Sequence, residues 1–234
     1  SGSLLVAAPE QPLDERTKAL VNGYLADGGR LLWLSGDQAD PFAQSLGIRH
    51  LPGRVVDADA ARFGLESPVN AIVDRLPSEL LPQAPRQPAV LYQAAALEYE
   101  AIVGWHRVAT LQSSAASWNE TGGLQGRIRR DPEAGERAGP LTVGIALEAD
   151  DGEAAPARVV YLGSPHLLTN AQLARGEFAP LREWLRENIH RHGQRYLDYV
   201  AGDKLAGYGV AALVAGGAGV AAAKVGLFAA LGKL

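Results

Sequence analysis

Residues 4–37 constrain the fold more than any other part of the chain, because they contain a complete strand, helix and strand pattern. Short apolar runs at residues 4–8 and 31–34 predict two strands. Between them lies an amphipathic pattern of helical period, whose apolar side carries Leu13, Thr17, Leu20, Val21, Tyr24 and Leu25. Asp14 can cap this helix, and Gly28 supplies a left-handed end. Strands joined by such a helix run parallel. The sequence therefore predicts an α/β fold, with a doubly wound, mostly parallel sheet and helices on both faces.

The rest of the pattern predicts further elements of the same domain. Apolar runs indicate strands at residues 54–57, 89–92, 108–111, 141–147 and 158–162, with another at 69–73 inside a proline-rich stretch. Helices are predicted at residues 41–46, 166–174 and 179–189, and residues 113–120 and 150–156 are predicted as loop or turn. One domain is thus expected at residues 4–189, followed by a linker at 190–204 and a tail at 205–234. Ser1, Gly2 and Ser3 resemble residues left by cloning.

The composition narrows the classes of function. The chain has 234 residues and a formal net charge of −4, which gives no basic field and argues against nucleic acid as a partner. Cysteine is absent, so disulfides, thiolate metal sites and thiol nucleophiles are excluded, and amidotransferase chemistry with them. No glycine-rich phosphate-binding motif follows the first predicted strand.

Several small or polar residues directly follow predicted strands or lie just beyond them. They are Gly36, Asp37, Gly163, Ser164 and Asn170. Ligands of open α/β sheets bind beyond the carboxyl ends of the strands, so these residues are candidates for a surface that binds a ligand or a partner. Turn and cap roles are the alternative for each of them.

A second candidate surface is the polar segment formed by Ser117, Trp118, Asn119 and Glu120. An aromatic ring with neighbouring amide and carboxylate groups suits sugars or a peptide backbone. The alternative is that Trp118 is buried and holds the loop in place.

A serine hydrolase would use Ser164 as nucleophile, His166 as base and Asp37 as the acid that orients the base. The G-x-S-x-G motif is missing, however, and Pro165 removes a backbone donor directly after the serine. We therefore predict no catalytic residue, no metal site and no cofactor.

Five segments, in this order, resemble the soluble domain of the gliding-motility type ABC-transporter auxiliary family. They are APEQPLDERTKALVNGYLADGGRLLWLSGD at the start, RVVDADAARFGL, ASWNE, GPLTVGIALE and ARVVYLGSPHLLTNAQL. The resemblance implies a flavodoxin-like or amidotransferase-like fold on the extracytoplasmic, periplasmic side of a membrane. It implies transporter permease and ATPase subunits as partners, and it implies no catalytic residue. Ser164 departs from the acidic residue that such relatives carry after the last strand.

The tail differs in composition from the preceding domain. Residues 205–223 form an uncharged run of 19 residues between Lys204 and Lys224. As a helix this run would extend about 28 Å, close to the thickness of a bilayer, so a membrane segment is predicted, with its glycines allowing a partner helix to approach. A buried helix or a flexible linker is the alternative. From residue 193 the tail resembles the C-terminal anchor of a family of predicted membrane-anchored bacterial proteins, through GQRYLDYVAGDKLAGYGVAALVAGG.

Taken together, these patterns and resemblances predict a non-enzymatic binding or scaffolding subunit of an ABC-type membrane transport system. A small-molecule or glycan-binding module is the alternative, and an uncharacterised serine hydrolase is the third.

Overall fold

A computed structural model describes residues 3–9, 11–35, 40–74, 88–150 and 156–166, together with Leu181, Trp184, Leu185 and Ile189. The continuous ranges up to residue 166 contain two α-helices, α1 (Glu15–Ala26) and α2 (Pro41–Ser45), and two short 3-10 helices (Ala60–Phe63 and Pro132–Ala134). The strands are β1 (Ser3–Ala7), β2 (Arg30–Leu34), β3 (Ile48–His50), β4 (Arg54–Asp57), β5 (Asn70–Val73), β6 (Ala89–Tyr92), β7 (Leu97–Tyr99), β8 (Trp105–Gln112), β9 (Ser117–Glu120), β10 (Thr142–Ala149) and β11 (Arg158–Leu162).

The opening strand, helix and strand unit is confirmed. Strands β1 and β2 pair in parallel, with Leu4 opposite Leu31. The Asp14 side chain accepts a hydrogen bond from the backbone of Thr17 and so caps α1. The apolar face of α1 is narrower than predicted, because Leu20 is 57% exposed and only Val21 and Leu25 of the helix are buried. Strand β11 then pairs in parallel with the other side of β2.

The predicted doubly wound fold with helices on both faces is wrong. The central sheet has the order β1-β2-β11-β10-β8, and β10 is antiparallel to both β11 and β8, so the sheet is mixed. Strands dominate the described residues, and three further two-stranded antiparallel sheets pair β3 with β7, β4 with β9 and β5 with β6. The physical reason lies in the short link between β10 and β11: residues 150–157 are too few for a crossover helix, so the two strands meet as antiparallel neighbours.

Each face of the central sheet covers a separate part of the core. One face packs α1, α2 and β3 through residues that include Val21, Phe42 and Ile48, and the Phe42 ring stacks on Trp33 of β2 at 4.3 Å between centroids. The other face packs mainly against β4, β5 and β6 through Val55, Ala71 and Leu91. The core therefore contains α1 and α2 on one side, and short strands together with a few helical residues near position 185 on the other.

Four described residues near the end of the predicted domain pack into the part of the core that contains Val55, Ala71 and Leu91. Leu181, Trp184, Leu185 and Ile189 are helical and buried, at the spacing of one helix face, as predicted for residues 179–189. The predicted helix at 166–174 lies outside the described residues except for His166, and so does the tail at 205–234. None of the helices in the described ranges is long and apolar enough to cross a membrane. The membrane segment at residues 205–223 stays a prediction.

Candidate functional site

The carboxyl ends of the parallel strands β1, β2 and β11 meet at one edge of the central sheet, which we call the carboxyl edge. Gly163 and Ser164 lie there, because they directly follow β11. Gly36, Asp37 and Asn170 were predicted for the same surface and lie outside the described residues. The structure thus places two of the five predicted residues of this surface.

Ser164 is fully buried, and its hydroxyl donates a hydrogen bond to the backbone carbonyl of Tyr92 at 2.7 Å. The imidazole of His166 instead contacts the side-chain oxygen of Gln93, at 2.9 Å from its Nε2. Among the described residues, the predicted nucleophile and the predicted base meet through a 3.4 Å hydrogen bond, which the His166 backbone N–H donates to the Ser164 hydroxyl oxygen. The described geometry therefore pairs Ser164 with backbone rather than with an imidazole base.

Backbone strain concentrates at the carboxyl edge. Within the described ranges, two residues other than glycine have positive φ angles: Ala8 with φ 42°, directly after β1, and Gln93 with φ 50°, which contacts His166. Such conformations cost free energy in residues with a Cβ atom and cluster at sites where function requires them. Ser35, directly after β2, is fully buried at the same edge, and its hydroxyl makes no hydrogen bond of good geometry within the described residues.

A network of three titratable groups lies beside Ser35, with Tyr161 buried and Asp40 and His50 half-buried, and sequence reasoning missed it. The hydroxyl of Tyr161 donates to Asp40 Oδ2 at 3.2 Å, and His50 Nε2 lies 2.8 Å from the same hydroxyl oxygen. Asp40 Oδ1 accepts hydrogen bonds from the backbone of Phe42 and Ala43, so it caps α2. Since the Tyr161 proton is used by Asp40, His50 must donate from Nε2. The network ties α2 and β3 to β11.

Burial shifts the pKa values of this network. It raises the pKa of the Asp40 carboxyl, although hydrogen bonds from the helix backbone and Tyr161 act the other way. It lowers the pKa of His50, although the nearby charge of Asp40 acts to raise it. Burial, followed by the charge of Asp40, strongly raises the pKa of Tyr161, so its hydroxyl keeps its proton. The sequence signal for this site was Asp40 directly before a proline that opens a helix, but nothing in the pattern indicated its partners.

The second predicted surface is a strand instead of the loop expected at residues 113–120. Ser117, Trp118, Asn119 and Glu120 form β9, pair with β4 and are all buried. Trp118 is 9% exposed, and its indole N–H donates to Glu120 Oε2 at 3.0 Å. The Asn119 amide donates to the carbonyl of Pro52 at 3.0 Å and accepts from the Arg137 backbone at 2.7 Å. These side chains have internal partners, which favours the buried, loop-holding role for Trp118.

The same strand begins in a buried hydroxyl cluster. The hydroxyls of Ser113 and Ser117 lie 2.7 Å apart, and Ser114 donates to Asp57 Oδ2 at 2.6 Å. Asp57 is fully buried and also accepts a hydrogen bond from the backbone of Asp59. The cluster therefore joins the end of β8, the start of β9 and the end of β4.

Residues 121–137 leave β9 as a long excursion that we call the arginine loop. Its two ends are joined by Glu136, whose Oε1 accepts from the Thr121 backbone at 2.9 Å and whose Oε2 accepts from the Asp131 backbone. Glu120 Oε1 accepts from the Gly122 backbone at 2.9 Å. The buried end of β9 thus has a clear structural consequence, because it fixes the base of this loop.

Comparisons with known proteins give little beyond the fold. A family model described as "Protein of unknown function (DUF2167)" matches residues 169–234, a region in which the structure describes only four residues. The mmIFT52 N-terminal domain is a solved structure with a similar fold, at a TM-score of 0.56 and 15% sequence identity, covering 80% of this chain and 78% of that one. At this identity the similarity concerns the fold alone. No curated protein matches the chain.

Proposed function

We propose that the chain is a non-enzymatic binding or scaffolding subunit of an ABC-type membrane transport system, located on the extracytoplasmic side of the membrane. It presents the carboxyl edge of its central sheet to the permease and ATPase subunits or to an extracytoplasmic ligand. The observation that supports this role most directly is the strain at that edge, where Ala8 and Gln93 both hold positive φ angles.

Two further features of the carboxyl edge favour a contact surface there. Gln93 is exposed, and its side chain is oriented by His166, so the pair presents a fixed polar group. In open sheets with parallel strands, this is also the end at which ligands bind.

The experiment is an affinity capture with the full chain as bait on detergent-solubilised membranes. We expect recovery of a transporter permease and its ATPase, identified by mass spectrometry. A double variant, Gln93→Ala with His166→Ala, is expected to reduce the recovery because it removes the exposed polar pair at the carboxyl edge.

The matched control is His106→Ala with Asp150→Ala. These side chains form a similar exposed pair, 2.7 Å apart, at the opposite end of the sheet. Equal loss in both double variants, or capture without any permease or ATPase, would contradict the proposal. Finding the native protein only in the cytosolic fraction of fractionated cells would contradict its location.

A further inference from the structure

The arginine loop carries a dense group of exposed positive charges. Arg127, Arg129 and Arg130 lie within four consecutive residues, and all three are exposed. Leu124, three residues before Arg127, is an exposed apolar side chain with 41% of its surface accessible. The loop thus combines three guanidinium groups with an apolar side chain on a single excursion from the body.

These three arginines differ from other arginines of the described body. Arg62 pairs with Asp59 at 3.0 Å, and Arg137 and Arg158 pair with Glu98 and Glu148. No salt bridge to Arg127, Arg129 or Arg130 is present among the described residues. Their charges are therefore not neutralised by close carboxylates there, and they remain available to an external anion.

The nearest acidic residues in the sequence are used to shape the loop. The carboxylate of Asp131 accepts a hydrogen bond from the Glu133 backbone at 2.9 Å and opens the short helix Pro132–Ala134. Glu136 is buried and joins the two ends of the loop through Thr121 and Asp131. Because its base is fixed, less conformational entropy is lost when the loop contacts a partner.

We propose that the arginine loop is a contact site for the anionic headgroups of a phospholipid bilayer. Guanidinium groups bind phosphate oxygens in bidentate geometry, and basic residues near an anionic membrane surface each add to the attraction. Leu124 supplies an apolar group that can enter the boundary between headgroups and acyl chains. This apolar side chain beside the cations favours a lipid surface over an acidic peptide. The contact does not depend on association with a transporter.

The test is binding of the full chain to vesicles of phosphatidylcholine alone and to vesicles that contain phosphatidylglycerol in addition, measured by flotation. The ratio of the two binding constants isolates the headgroup contribution, since any insertion of the tail contributes to both. We expect the wild type to prefer the anionic vesicles. The triple variant Arg127→Gln, Arg129→Gln and Arg130→Gln is expected to lower that preference by about tenfold to a hundredfold.

A matched triple variant, Arg16→Gln, Arg62→Gln and Arg107→Gln, removes the same number of positive charges from exposed positions outside the loop. It is expected to keep the preference, and both triple variants must show the wild-type unfolding midpoint in urea. Equal loss in both variants would overturn the proposal, because net charge would then explain the binding. It would also be overturned if the wild type did not distinguish the two kinds of vesicle, or if free glycerol phosphate or a polyglutamate peptide bound the loop as tightly as the anionic vesicles.

Discussion

Glu136 accepts two hydrogen bonds from Thr121, one from its backbone at 2.9 Å and one from its hydroxyl at 3.1 Å. Its other carboxylate oxygen binds the backbone of Asp131. Burial acts to raise the pKa of Glu136, but these hydrogen bonds outweigh it and hold the pKa below its ordinary value. One ionised side chain therefore closes the base of the arginine loop.

The variant Glu136→Gln is expected to destabilise the fold by about 1–3 kcal/mol, because an amide cannot accept hydrogen bonds on both sides and leaves a backbone donor unpaired. Opening of the loop base should also speed tryptic cleavage after Arg127, Arg129 and Arg130. Urea unfolding and limited proteolysis measure the two effects. Glu133→Gln, an exposed change in the same loop, is the control and should leave both unchanged. Proteolysis at the wild-type rate in Glu136→Gln would contradict the role assigned to Glu136.

The half-buried His50 is expected to make stability depend on pH. Its pKa is lower in the folded chain than in the unfolded chain, so the folded state binds the proton less tightly. The stability contribution is complete above the unfolded pKa of about 6.5 and is lost as the pH falls below it. Asp40 acts in the opposite direction, because its folded pKa is raised and acid favours its folded form.

The measurement is urea unfolding of wild type and His50→Gln at about pH 7.5 and about pH 5.5, which bracket the ordinary histidine pKa. The glutamine keeps an N–H donor for Tyr161 but does not titrate. We expect the variant to lose less stability on acidification than the wild type. An identical pH dependence in His50→Gln and wild type would show that His50 does not carry the effect.

Gly163 is expected to tolerate no side chain. Its carbonyl accepts a hydrogen bond from the Ala95 backbone at 2.7 Å, and a Cβ atom would overlap the carbonyl oxygen of Ala95. Gly163→Ala should therefore cost about 1–3 kcal/mol of unfolding free energy, since backbone must move to relieve the overlap. Gly123→Ala is the matched control, because a Cβ atom there meets nothing within 4 Å. Equal unfolding midpoints for the two variants would exclude close packing as the reason for glycine at position 163.

Ser164→Ala is expected to lower the free energy of unfolding and to remove no enzymatic activity. The change removes a buried hydrogen bond to Tyr92 and should cost about 1 kcal/mol in thermal or urea unfolding. Ser67→Ala, in an exposed turn, serves as the control for loss of a hydroxyl. Esterase activity of the wild type that disappears in Ser164→Ala and persists in Ser67→Ala would reverse our assignment of a non-enzymatic role.

Local patterns predicted local structure well in the first third of the chain. Asp14 caps α1 as predicted, the helix predicted at residues 41–46 forms as α2, and the parallel pairing of β1 with β2 followed from the helix between them. The direction of β10 could not be read from its apolar run, because strands buried on both faces have the same composition in parallel and antiparallel sheets. The short link at residues 150–157 was the usable signal, since it has no room for a crossover helix.

The candidate site was less predictable, because its contacts join residues far apart in sequence. Asp40, His50 and Tyr161 come from three separate elements, and only the packing of β11 beside β2 brings them together. Trp118 is a residue type that is common at binding sites, yet its indole N–H donates to the carboxylate of Glu120, two residues away. Residue type alone does not distinguish a side chain that binds a ligand from one that makes contacts within its own protein.

The position of β11 also decides the order in which the chain can complete its fold during synthesis. Strand β11 lies between β2 and β10, yet it is the last strand of the described body to leave the ribosome. Until β11 emerges, one edge of β2 in the nascent chain has no β11 to pair with. The chain between β2 and β11 must then close as a long loop, and the loss of conformational entropy makes this step slow. Exposed strand edges are where newly made chains pair with one another. A binding factor that covers the nascent β2 edge, such as a chaperone that accepts extended segments, would therefore improve the yield of the native protein.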